Sequence, residues 1–345
     1  MQTAMRQYAT TIDYSDNEVW KARVRIIELP DSDTHNRFSL LLELYQVLLI
    51  TKAVFKEQVL LLDASSGTLY PELLACVLIG LLPIRHQPII ALAGEMYNPN
   101  GGLRGKLERL LIRLADRAIT RYIAWSSEEL EVFPRLWKVS PAKMRHCRFF
   151  YTFSEADIAY PLPPAEDYIF AGGNAHRDYE PLLEVARRMP ERRFVIATNR
   201  LNGRADLPPN VTAKAVAHEE YVHLMRSAAA VVIPIKQGLM RSAGQQTYLN
   251  AMALGKPTII NRVFGVGDLV EDGKTALVVD GSPAGYLRAL DWVFDPANAA
   301  AVSHMCQDAR GTVRNHFDYA HHLYSLLEIL DEAYQERYGA LVQNG

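Results

Sequence analysis

Apolar, β-rich runs alternate with segments of helical periodicity along nearly the whole of this chain, and that alternation leaves few folds open. In the first half the strand-like runs are 24–28, 59–63, 88–93, 118–124 and 146–149, separated by periodic segments around 38–55, 71–82, 103–117 and 127–137. Strands divided by helices cannot pair as hairpins. They make a parallel sheet with helices on both faces. The rhythm breaks at 151–167, YTFSEADIAYPLPPAED, which is rich in proline and acids and reads as a linker. It then restarts, with strands expected at 168–171, 193–197, 211–213, 229–235, 257–261 and 275–279. Helices are expected at 179–188, 219–226, 245–254, 283–294 and 297–310, with a last one over about 318–337. Ser282-Pro283 reads as an N-cap followed by proline in the first helical turn. The fold class is therefore α/β, with two Rossmann-like, doubly wound parallel-sheet domains facing across a cleft. The expected division is 1–155, then 165–316, then a C-terminal helix over 317–345 packing back toward the first domain. Parallel sheets bind ligands beyond the C-terminal ends of their strands, so two such halves can bring two substrates together.

Composition removes other classes. The 345 residues carry a net charge of −2, which is not the balance of a polyanion binder. The three cysteines, Cys76, Cys147 and Cys306, are far apart and lack CxxC spacing, so neither a disulfide framework nor a zinc site is expected. The first residues are polar and acidic, unlike a signal peptide, and no run of 18 uncharged apolar residues predicts a spanning helix. The expected compartment is the cytoplasm. Asp31-Ser32-Asp33 has the form of a metal-binding DxD but sits alone in a polar loop, so no metal and no cofactor is expected.

The segment that carries most chemistry is 231–280. A buried strand runs into the polar loop Lys236-Gln237-Gly238-Leu239-Met240-Arg241-Ser242-Ala243-Gly244, and a helix begins near Gln245. Free backbone N–H groups at a helix start, with Lys236 and Arg241 beside them, form what a diphosphate requires. Upstream, Gly172-Gly173-Asn174 is a turn in which backbone can approach a ligand, followed by Arg177.

These stretches resemble the donor-site region of GT-B glycosyltransferases of the family 4-like type. Asn250-Ala251-Met252-Ala253-Leu254-Gly255-Lys256-Pro257 is similar to the family's E-A-M-A-x-G-x-P helix and turn, and Gly267-Asp268-Leu269-Val270-Glu271-Asp272-Gly273 to its G-x-x-E-L-V-x-D-G. The stretch from Tyr168 to Ala197 resembles the element that carries a phosphate-binding lysine, with Arg177 near that place. Phe317-Asp318-Tyr319 resembles the aromatic turn before the family's last helix. The resemblance implies a donor site built from Gly172, Gly173, Asn174, Arg177, Lys236, Arg241, Ser242, Gly244, Gln245, Gln246, Thr247 and Asn250. It implies a nucleotide-sugar substrate, UDP- or GDP-linked, with no metal required. Two family glutamates, eight residues apart, would fall on Ser242 and Asn250. In the family the second accepts from the donor ribose, which Asn250 could still do through its carbonyl. Donor identity and stereochemical outcome stay open.

In the first half, Glu95 follows a predicted strand and is the candidate base, with Asp63 the second candidate. Residues 101–150 hold eleven Lys or Arg against five Asp or Glu, and 103–117 reads as a basic amphipathic helix. That pattern fits an anionic membrane surface at the inner face of the cell membrane as well as a solvated face. No basic stripe interleaved with aromatics suggests nucleic acid. The leading expectation is sugar transfer to a glycan or lipid-linked acceptor. The alternatives are a catalytically silent sugar-nucleotide-binding subunit or a sugar-nucleotide epimerase.

Overall fold

A computed structural model describes residues 8–14, 16–30, 39–64, 69–83 and 88–339. The chain divides into two units, one of residues 1–147 with 323–345, the other of 148–322. Asp31-Ser32-Asp33 lies outside the described residues.

The first unit runs β1 (Tyr8–Thr10), α1 (Glu18–Arg23), β2 (Val24–Ile26), α2 (Ser39–Ala53), β3 (Val59–Asp63), α3 (Pro71–Leu81), β4 (Ile89–Gly94), α4 (Gly102–Ala115), β5 (Arg121–Ala124), α5 (Ser127–Trp137) and β6 (Met144–His146). Its sheet is parallel throughout, in the order β2-β1-β3-β4-β5-β6. The sequence reading missed β1, because three residues are too few to show a period. Yet Tyr8, Ala9 and Thr10 are buried, and β1 pairs with strands on both sides. The unit ends in residues of α12 (Tyr319–Tyr334), where Asp331 pairs with Arg23 and Glu332 with Arg145.

The second unit runs β7 (Tyr168–Gly172), α6 (Glu180–Arg188), β8 (Arg193–Ala197), β9 (Val211–Lys214), α7 (His218–Ser227), β10 (Ala230–Ile233), α8 (Gln245–Ala253), β11 (Thr258–Asn261), α9 (Val266–Leu269), β12 (Leu277–Val279), α10 (Pro283–Phe294) and α11 (Ala299–His316). Its parallel sheet has the order β12-β11-β10-β7-β8-β9. The chain lays down β7, β8 and β9 in one direction, then returns to place β10 on the other side of β7. That reversal opens a crevice beyond the C-terminal ends of β7 and β10, where doubly wound sheets bind ligands. At the start of α10, Ser282 Oγ accepts from Gly285 N at 3.0 Å and Pro283 occupies the first turn, as the sequence predicts.

One expectation is corrected. Residues 151–167 are not a free linker. Tyr151, Phe153 and Ile158 belong to the core of the second unit, because apolar side chains within the polar run bury against it. The adjacent residues His321 and His322 have opposite surroundings. His321 is exposed and bound to Asp318, whereas His322 is buried, with Nδ1 2.8 Å from Arg148 O and its ring 4.6 Å from that of Phe150. Burial drives the His322 pKa down to about 4.

Candidate functional site

The loops after β7 and β10 are joined through their backbones. Lys236 N donates to His176 O at 2.9 Å, Asp178 N donates to Pro234 O at 3.0 Å, and Arg177 and Ile235 form an antiparallel bridge. Asn261, wholly buried at the end of β11, fixes the second loop from below: its Oδ1 accepts from Ile235 N at 2.7 Å and its Nδ2 donates to Ile235 O at 2.9 Å. Tyr286 OH donates to the same Oδ1 at 3.0 Å. The two turns are thus held at the crevice by main-chain contacts and by the Asn261 side chain.

The glycines of the first turn serve neighbouring side chains. A Cβ on Gly172 would come within 2.5 Å of the Tyr221 ring, and one on Gly173 within 2.9 Å of Arg177 Nη2. Gly173 also has a φ of +108°. These glycines therefore have a packing role as well: they make room for Tyr221 and Arg177. Asn174 is exposed, and its Oδ1 accepts from Thr198 Oγ1 at 2.8 Å and Asn199 N at 3.0 Å.

Arg177 is 5% exposed, and its guanidinium donates to Gly172 O, Ala175 O and Thr247 Oγ1 at 3.0, 3.0 and 2.7 Å. It binds the first turn to α8, so its charge reaches the crevice from behind these contacts. Lys236 is the reverse case. Its backbone is fixed, but β10 ends at Ile233, and the Lys236 side chain is exposed with no hydrogen bond or ion pair among the described residues. The loop begins before Lys236, so no strand holds its side chain. Arg241 is half-buried and lies against His176 Nε2.

His176 and Arg200 are the residues that sequence reasoning missed. His176 has a φ of +53°, unusual for a non-glycine residue. Its pKa is lowered, first by burial and then by the charges of Arg241, Arg177, Lys236 and Arg200. The charges of four cations therefore act on one imidazole at the switch point, and one of them, Arg241, touches its ring. Arg200 is placed there by a 3.0 Å bond from Nη1 to Asn174 O. No spacing rule could have found it, since it enters from the loop after β8.

The second loop ends at Gly244, whose φ of +74° starts α8, and a Cβ there would meet Ile235 at 2.5 Å. Ser242 is completely buried and its Oγ has no partner among the described residues. Gln245 and Thr247 are buried in the first turn of α8. Gln246 and Asn250 face elsewhere. Gln246 Nε2 donates to Thr152 Oγ1 at 2.8 Å. Asn250 Oδ1 accepts from Thr152 N at 2.7 Å and Phe153 N at 3.2 Å, while its Nδ2 donates to Thr152 Oγ1 at 3.1 Å. The expected ribose-accepting role of Asn250 is thus occupied by chain. Backbone N–H groups of the entering segment have no strand to pair with and take this carbonyl instead.

In the first unit, Asp63 ends β3 and Glu95 follows β4, so the neighbouring strands bring both candidate carboxylates to one sheet edge. Gly94, with a φ of +144°, makes this possible: a Cβ there would lie 3.2 Å from Asp63 Oδ1. The Glu95 side is anchored by buried Met96 and by Trp137 Nε1, which donates to Tyr97 O at 3.3 Å. Among the described residues no group of His, Cys, Asp and Glu could hold a metal ion.

Residues 169–295 match the family described as Glycosyl transferases group 1. No curated protein matches the sequence. The described fold is similar to that of Anabaena HepE in complex with UDP, with a TM-score of 0.66 and 14% identity over 94% of this chain and 91% of that one. This chain has the GT-B glycosyltransferase fold. The GT-B likeness extends to a glycosyltransferase from Rickettsia africae ESF-5, at TM-score 0.64 and 14% identity, covering 94% of this chain and 89% of that one. It extends also to a sucrose-phosphate synthase from Thermosynechococcus elongatus, at TM-score 0.65 and 15% identity, covering 92% and 84%. In the GT-B frame, the matched segment contains the whole cationic crevice between β7 and β10.

Proposed function

We propose that the protein transfers a sugar from a nucleotide-sugar donor, UDP- or GDP-linked, to a glycan or lipid-linked acceptor. The observation that carries this reading is the convergence of Arg177, Arg200, Lys236 and Arg241 on the joined loops after β7, β8 and β10, at the switch point of the segment matching the glycosyltransferase family. A diphosphate gains negative charge as the glycosidic bond breaks. Cations placed at the crevice and the first turn of α8 would meet that charge without requiring a metal. HepE, similar in fold, is described with UDP and with UDP-glucose, which makes UDP-glucose the first donor to try. Glu95, with Asp63 as the second candidate, is the proposed base for the acceptor hydroxyl.

A membrane-held acceptor is supported by the first unit. Leu103, Leu107 and Leu110 of α4 are exposed beside Arg104, Lys106, Arg109 and Arg113. The helices packed alongside expose more apolar side chains, among them Leu41, Leu48, Leu78 and Leu81. Apolar side chains rimmed by cations fit peripheral docking on an anionic leaflet. Among the described residues no helix is long and apolar enough to cross a membrane.

A second reading, a catalytically silent sugar-nucleotide-binding subunit, is favoured by Ser242 and Asn250. Neither is acidic, and Asn250 is spent on Thr152 and Phe153. The test is a thermal-shift screen against UDP-, GDP-, ADP- and dTDP-sugars, followed by turnover with and without acceptor. A ligand at 100 times its Kd stabilises the folded state by about 2.7 kcal/mol. Stabilisation by one nucleotide class with acceptor-dependent turnover is expected. Stabilisation without turnover gives the silent subunit, donor turnover without acceptor gives an epimerase, and stabilisation by none refutes the donor site.

A further inference from the structure

Away from the crevice, the second unit has a cavity of about 840 Å³ along one face of α11. Ser303, Gln307, Arg310, Gly311, Arg314 and Asn315 line it from the helix, and Tyr160 and Gly255 close the other side. The helix positions recur at intervals of three and four, so they form one continuous stripe. The volume is that of a small-molecule site and far exceeds a single ion.

The chemistry of the lining is specific. The Arg310 guanidinium lies 3.5 Å from the centre of the Tyr160 ring, and Tyr160 OH donates to Leu254 O at 2.8 Å, which fixes the ring under it. Arg310 Nε is buried with no hydrogen-bond partner among the described residues. Arg314, one turn on, is oriented by Glu155 Oε2 at 3.0 Å. Two guanidiniums against one carboxylate leave a net positive groove. Gln307 and Ser303 supply amide and hydroxyl groups beside it, 3.4 Å apart. Burial pushes the Cys306 thiol up to about 12, so the wall there is a neutral thiol.

Gly311 is a second, independent observation. Glycine within an α-helix is unfavourable, yet a Cβ at this position would meet nothing within 4 Å. No packing constraint in the protein explains it. What the missing side chain leaves is open volume between Arg310 and Arg314.

We propose that this groove binds a sugar carrying an anionic group, a phosphate or a carboxylate, with the anion on Arg310 and Arg314 and the hydroxyls on Ser303, Gln307 and Asn315. Guanidinium forks match both anions, and hydroxyl and amide side chains match a polyol. The site is separate from the donor crevice and does not depend on the reading of that crevice.

The test is calorimetric titration of the full chain with glucose 6-phosphate, glucuronate, inorganic phosphate and glucose. Wild type, Arg310→Gln and Gly311→Leu are compared, with melting temperature as the check on folding. Gly311→Leu fills the groove while keeping both arginines, and its melting temperature should equal or exceed wild type. Saturable binding of glucose 6-phosphate or glucuronate, weakened at least tenfold in both variants, is expected. Which of the two binds more tightly identifies the anion. Binding by neither, equal binding of glucose or of inorganic phosphate alone, or unchanged affinity in Gly311→Leu would each overturn the proposal.

Discussion

Replacing Asn250 by alanine separates two roles for one side chain. The family resemblance implies that this position accepts from a donor ribose. The structure instead has its carbonyl oxygen bound by Thr152 N and Phe153 N. Alanine would leave both donors without that acceptor. Thr152 is exposed, so water can replace its partner, at a net cost of about 0.5–1.5 kcal/mol. Phe153 is buried, so its N–H loses its partner in the core, at about 1–3 kcal/mol. Together the second unit should lose ~2–4 kcal/mol. Hydrogen exchange read by NMR or by fragment mass spectrometry gives the assay. Amides of 151–153 should exchange about 30- to 1000-fold faster in the variant, at a factor of about ten per 1.4 kcal/mol. Nucleotide affinity, measured on the folded protein, should be nearly unchanged. Should affinity instead fall tenfold while exchange at Thr152 and Phe153 stays as in wild type, the structural role is wrong and the ribose role stands.

Other outcomes follow from the same geometry. Glu95→Gln should lower transfer by about 10²–10⁴-fold and leave nucleotide affinity alone, and near-normal turnover would move the base to Asp63. Lys236→Ala should weaken donor binding by about 1.5–3 kcal/mol in titration, whereas Arg192→Ala, whose charge pairs with Asp167 and stacks on Phe294, should not. His322 has a folded pKa depressed to about 4 against ~6.5 unfolded, so its contribution is complete above pH 6.5 and is lost as pH falls toward 4, by about 3 kcal/mol. Denaturation midpoints measured from pH 7 to 4.5 should show this slope, and His322→Gln should flatten it. Arg109→Glu with Arg113→Glu should reduce sedimentation with anionic vesicles, most at low salt, and a wild type that fails to sediment would remove the membrane proposal.

Periodicity alone was enough for the two parallel sheets, because a strand buried on both faces reads as an apolar run and its following helix as a 3.6-residue pattern. The loops after β7 and β10 were legible as well, since glycine, proline and cations between such elements leave a local trace. Ser282-Pro283 and the helix over Ser127–Trp137 are determined by neighbours in sequence and were read directly. What depended on distant partners was not. β1 exists because β2 and β3 pair with it on either side. His176 and Arg200 join the cationic crevice only because the loops after β7, β8 and β10 converge at the crossover. The glycines at 172 and 173 are explained by Tyr221 and Arg177, and Asn250 by Thr152 and Phe153. Sequence records what a residue can do locally. Only tertiary packing decides which donor or ring arrives to use it, because those partners lie up to about a hundred residues away along the chain and a few ångströms away in space.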